Sequence, residues 1–195
     1  MSTTETKLLT KNTSCLIERM TAHAKADEII QGTGWENGHG CFVGCCLHEY
    51  NHAKAPLELG WPEELFRLCD AIFEALPSAQ AKQFAVDVPR AVGKDGKDLS
   101  MIVPQWIYWT LSDEASKPTA YPQFQPFIDA VVALYEEWTR TGVRPSADLA
   151  YRADLAYRVD LAYRAYRADL ADKKNPAEKL IELLTNAPVV AEVAP

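Results

Sequence analysis

Leu65, Leu68, Cys69, Ile72 and Leu76 recur at intervals of three and four along "LGWPEELFRLCDAIFEAL". That spacing puts five apolar side chains on one face of a helix. Pro62 before the pattern and Glu63 and Glu64 in its first turn suit a helix start. The same period returns elsewhere. Leu16, Ile17, Met20, Ala24 and Ile30 follow a cap at Thr13 or Ser14 and predict a helix to about residue 30. Ser78 opens another, ending near Pro89. Asp98 or Ser100 begins an aromatic helix with Trp106, Tyr108 and Trp109. Phe124, Phe127, Ile128, Val131, Leu134 and Trp138 mark one that ends near Gly142. No stretch alternates apolar and polar residues as a half-buried strand does. The chain is therefore expected to be mainly α: a single helical domain over 13–142, followed by a long repeat helix.

The repeat begins at Ala147 and reads ADLAYR, ADLAYR, VDLAYR, AYR, ADLAD. It invites comparison with pentapeptide-repeat β-helices, but a unit of six cannot stack its leucines on a coil of five. Asp148 with Arg152, Asp154 with Arg158, Asp160 with Arg164 and Asp169 with Lys173 are i,i+4 pairs with the acid first. Each favours a helix by about 0.2–0.5 kcal/mol. Six residues advance the helix by about 240°, so no single apolar stripe forms. Residues 146–172 are expected to be one helix, acting as a spacer or as a homo-oligomer interface. "PAEKLIELL" adds a short amphipathic helix, completing a 143–185 segment. Residues 1–12 and 186–195 read as disordered tails.

The chain has a net charge of −7 and 48% apolar residues. An acidic chain lacks the basic surface of a general nucleic-acid binder. No run approaches the roughly 18 apolar residues of a membrane span. A polar N-terminus without an apolar core segment predicts a cytoplasmic protein with reduced cysteines.

Chemistry-bearing residues concentrate in "GTGWENGHGCFVGCCLHEYNH", residues 32–52. It holds five of nine glycines, three of five cysteines and three of four histidines. Four readings compete. A ligand cradle uses Gly34, Trp35, Asn37, His39 and Arg90, with Lys94 as a further cation: glycines admit close backbone approach, tryptophan stacks, and the polar groups read edges. A nucleophile would be Cys41, with His23 as base and Asp27 four residues on as its orienter. A metal site would draw on Cys41, Cys45, His48 and His52, but no paired knuckle supports it, and no cofactor is expected. The bland alternative makes the glycines turns and Trp35 a core plug.

"AHAKADEIIQGTGWENGHGCFVGCCLHEYNH" and "LELGWPEELFRLCDAIFEALPSAQA", followed by an alanine-rich run ending in "ADKKNPAEKLIELL", resemble a family of small bacterial and phage proteins to which no activity is attached. The resemblance supplies no catalytic residues. Its phage association implies a context in which small proteins trap nucleotide signals of host defence. The expected function is non-catalytic binding and sequestration of a small polar, nucleotide-like ligand. The alternatives are a cysteine-dependent hydrolase or transferase using Cys41, and a protein-interaction module acting through the repeat helix.

Overall fold

The computed structural model describes residues 7–112, 125–145 and 176–190. The fold is mainly α, as the apolar periods require. Its helices are α1 (Thr13–Lys25), α2 (Phe42–Leu47), α3 (Ala55–Glu58), α4 (Glu63–Ala75), α5 (Ser78–Val92), α6 (Ile102–Ser112), α7 (Gln125–Thr141) and α8 (Pro176–Asn186), with a 3₁₀ turn at His52–Lys54. The expected repeat helix at 146–172 lies outside the described residues. The chain divides into two compact units, residues 1–103 with 180–195 and residues 104–179.

The first unit is built around α2, α4 and α5. Phe42 of α2 meets Phe66 and Phe73 of α4 and Phe84 of α5, with ring centroids 5.3, 6.5 and 6.5 Å away. α4 buries more than its predicted stripe: Phe66, Asp70 and Phe73 form a second buried row beside Leu65, Cys69 and Ile72. α1 packs its Leu16, Met20 and His23 inward. Its N-terminus is capped from afar, because Asp95 Oδ1 accepts from the Thr13 amide at 2.8 Å. α1 ends at Lys25, five residues short of the expected end. Asp27 takes a left-handed backbone, and the chain then runs extended, with the Ile30 amide donating to Gly40.

That extended run meets a hairpin that no alternating pattern announces. β1 (Trp35–Glu36) and β2 (His39–Gly40) pair antiparallel, Trp35 opposite Gly40. Asn37 and Gly38, both at positive φ, make the two-residue turn, as asparagine and glycine favour. The hairpin presses on α2. A methyl group built on Gly44 would stand 2.0 Å from the Gly34 carbonyl oxygen, so only glycine fits there.

Both expected tails are ordered where they are described. Leu9 bridges Asp98, the Thr10 amide donates to Lys97, and the Val190 amide donates to Gly96. Lys97, 6% exposed, donates its ammonium to the carbonyls of Leu184 and Thr185 at 2.9 and 3.0 Å. A cation at the C-terminal end of α8 satisfies its last acceptors. Each flanking run contributes only one bridge partner, too few for a sequence period to reveal.

In the second unit, Tyr135 stacks on Trp138 within α7, Arg144 lies 5.7 Å from the Trp138 ring, and Trp106 donates to the Pro176 carbonyl at 3.1 Å.

Gly44→Ala should cost about 3 kcal/mol or more, the upper end for overpacking against a fixed neighbour. Gly38→Ala meets nothing within 4 Å and should cost only the left-handed strain of about 1–2 kcal/mol. Urea unfolding of the two variants checks the order; equal losses would contradict the close-packed hairpin.

Candidate functional site

The hairpin, the turn after α2 and one row of α4 bring two polar clusters together. The first surrounds Trp35. His48 ends α2 in a left-handed conformation, and its ring stacks on Trp35 with centroids 4.7 Å apart and planes 19° apart. His23 approaches both rings edge-on. Its Nδ1 lies 2.6 Å from Glu28 Oε2, and its Nε2 lies 3.0 Å from His48 Nε2. A carboxylate only accepts, so His23 Nδ1–H donates to Glu28. The two Nε2 atoms share a single hydrogen, which links His48, His23 and Glu28 in one chain. Desolvation, then the charges of Arg19 and His23, hold His48 below the usual histidine range.

The second cluster surrounds Cys41, which stands in an extended conformation just before α2. Its Sγ and carboxylate oxygens of Asp70 and Glu74 lie within 4.8 Å of one another. Asp70 and Glu74 are four apart on α4 and so share a face. His52 Nε2 lies 3.0 Å from Asp70 Oδ2, and the Tyr50 hydroxyl donates to the same oxygen at 3.2 Å. Asp70 Oδ1 is buried and has no partner. Glu74 Oε2 accepts from the Gly32 amide at 2.9 Å, and burial raises its pKa. Tyr50 is 56% exposed at the mouth of this cluster, and its Cβ would lie 3.1 Å from a methyl group placed on Gly34.

Gly34 and Trp35 lie between the two clusters. Asn37 makes the hairpin turn, and His39 beside it, exposed, donates Nδ1–H to the Asn37 carbonyl at 3.0 Å. Arg90 lies on α5, contacting Thr21 and Asp87. The glycine amides are largely spent: Gly32 donates to Glu74 and Gly40 to Glu28, so the loop is not a nest of free donors.

The Cys41, His23 and Asp27 trio is not assembled. Glu28, not Asp27, orients His23, because α1 ends before Asp27, and Asp27 pairs with Lys82, which lowers its pKa. Cys41 is not activated either. Burial, aided by Asp70 and Glu74, pushes its thiol up to about 11. The set Cys41, Cys45, His48 and His52 is likewise dispersed. Cys45 is buried, its thiol raised to about 12 and donating to the Gly40 carbonyl, while His48 faces Trp35 and His52 faces Asp70. Sequence reading missed Glu28, Tyr50, Asp70 and Glu74. The one available signal was the carboxylate at 70 in register with Phe66 and Phe73.

No family model, curated protein or solved structure matches this chain. The functional argument rests on the site.

Cys15 is exposed and the other four cysteines are buried. A thiol with a pKa of about 11 is ionised in about one molecule per thousand at pH 8. Disulfide-exchange reagent at that pH should therefore modify Cys15 quickly and Cys41 only after unfolding. Mass mapping checks this; Cys41 modified as fast as Cys15 would restore the nucleophile reading.

Proposed function

We propose that this chain binds, without turning over, a small polar ligand that carries a flat ring of nucleobase type. The observation that carries the reading is the setting of Trp35. The enclosed tryptophan of the first unit is Trp61, with no exposed surface, whereas Trp35 is only half-buried. Its orientation is set in advance by His48 against one face, by Gly40 beside its Cε3 and by Gly44 beside its Cβ. A ring held in place before binding loses little freedom on binding, which favours affinity. Beside it, the bonded row of His48, His23 and Glu28 offers polar groups for the edge of a flat ligand. Tyr50 adds a second exposed aromatic surface.

The ring, rather than a phosphate, is what these residues suit. The Gly32, Gly40 and Cys41 amides are already bonded, and Asp70 and Glu74 repel anions. Retention without chemistry is supported by Cys41, whose thiol is pushed up by burial and by Asp70 and Glu74. Sequestration of a nucleotide-type signal is the biological effect this chemistry would serve.

Calorimetry with nucleobases, nucleosides and nucleotides tests the reading. Binding should follow the base and change little with phosphate number. Trp35→Ala should weaken it at least about tenfold, by loss of stacking worth about 1–3 kcal/mol. Because Trp35 is only partly buried, the same variant should lose less than the 3–5 kcal/mol of an emptied core aromatic site. A loss of that full size with no ligand found would reduce Trp35 to a packing residue.

A further inference from the structure

We propose that Cys41, Asp70 and Glu74 form a site for one divalent transition-metal ion of the zinc class. Three donor groups converge from two separate elements, the residue before α2 and one face of α4, with their ligand atoms within 4.8 Å of one another. A zinc-type ion stands about 2.3 Å from a thiolate and about 2.0–2.2 Å from a carboxylate oxygen, so small side-chain rotations bring all three into range. The independent observation is Asp70. It is 7% exposed, its Oδ2 is occupied by Tyr50 and His52, and its Oδ1 is a buried acceptor with no partner. An unmet buried carboxylate oxygen is costly. A cation in the cluster removes that cost and offsets most of the three negative charges.

The surroundings match what metal ligands ordinarily have. His52 and Tyr50 orient Asp70, and the Gly32 amide orients Glu74. Such outer bonds fix ligating carboxylates in place. A thiolate with two carboxylates favours zinc, cobalt or iron over magnesium, which prefers oxygen donors alone. Cys41 ligates an ion as its thiolate, so its thiol proton must leave. The ion would displace that proton, so binding weakens as pH falls. The site adjoins the ring-binding surface above through Tyr50, but its ligands, Cys41, Asp70 and Glu74, are not the residues that hold the ring.

Cobalt(II) is the direct probe, because a cobalt–thiolate bond absorbs in the near ultraviolet. The background is full-length Cys15→Ser, which removes the one exposed thiol. After chelator treatment this protein should take up one cobalt per chain, show the thiolate band, and lose both to added zinc. Cys41→Ser should abolish the band. Glu74→Gln, at an exposed position, should weaken cobalt binding roughly tenfold or more while leaving the circular dichroism spectrum unchanged. If Asp70→Asn fails to fold, Glu74→Gln still decides the matter. Absence of a band, a band that survives Cys41→Ser, or affinity indifferent to Glu74→Gln would each overturn the proposal.

Discussion

The carbonyl oxygen of Gly34 is the point on which the site depends. It accepts from the Cys41 amide at 3.1 Å and lies so close to α2 that a methyl group on Gly40 or Gly44 would come within 2.7 or 2.0 Å. This contact presses the hairpin against α2. It also sets where three side chains go: Trp35 onto His48, Cys41 toward α4, and Tyr50 past Gly34. Loosening it would separate the aromatic cluster from the carboxylates together. The glycines of this stretch thus serve contact and turning rather than donation to an anion.

The carboxylates add an electrostatic demand. Asp70 lies in the same buried row as Phe66 and Phe73, where an apolar residue would ordinarily be. Burying an ion there is unfavourable unless partners replace its water. Tyr50 and His52 serve one oxygen, and the other is buried without a hydrogen-bond partner. Groups retained at such cost concentrate where a chain binds or reacts. Burial first, and then these charges, push the Cys41 thiol up, and the same charges attract a cation.

The longer helices were legible because each repeats its apolar period over about three turns or more, whereas α2 and α3 are too short to show one. α4 and α5 followed their expected starts closely, although α5 runs past Pro89 to Val92. The hairpin was not legible by alternation, since two-residue strands are too short to alternate. Its one local signal was Asn37–Gly38, which reads as a turn once strands are sought. The site was half legible. The Gly/Cys/His stretch supplies Trp35, Cys41 and His48, but their neighbours Asp70 and Glu74 sit on a helix whose apolar period marks a different face. Spacing along the chain offers no view of a ligand set completed by residues about 30 positions away in sequence. His23 likewise found its carboxylate in Glu28 because α1 stops short, and helical spacing alone had favoured Asp27.

The central claim is that hairpin, α2 and α4 form one cooperative unit, so that the site is built into the fold. Native-state hydrogen exchange of the Ile30, Gly40 and Cys41 amides, which donate to Gly40, Glu28 and Thr33, measures this directly. These amides should exchange only with global unfolding, at the same opening free energy as core amides of α4 such as Phe66 and Phe73. Fast exchange of all three while the α4 amides stay protected would show a hairpin that opens on its own, and would contradict a prearranged site.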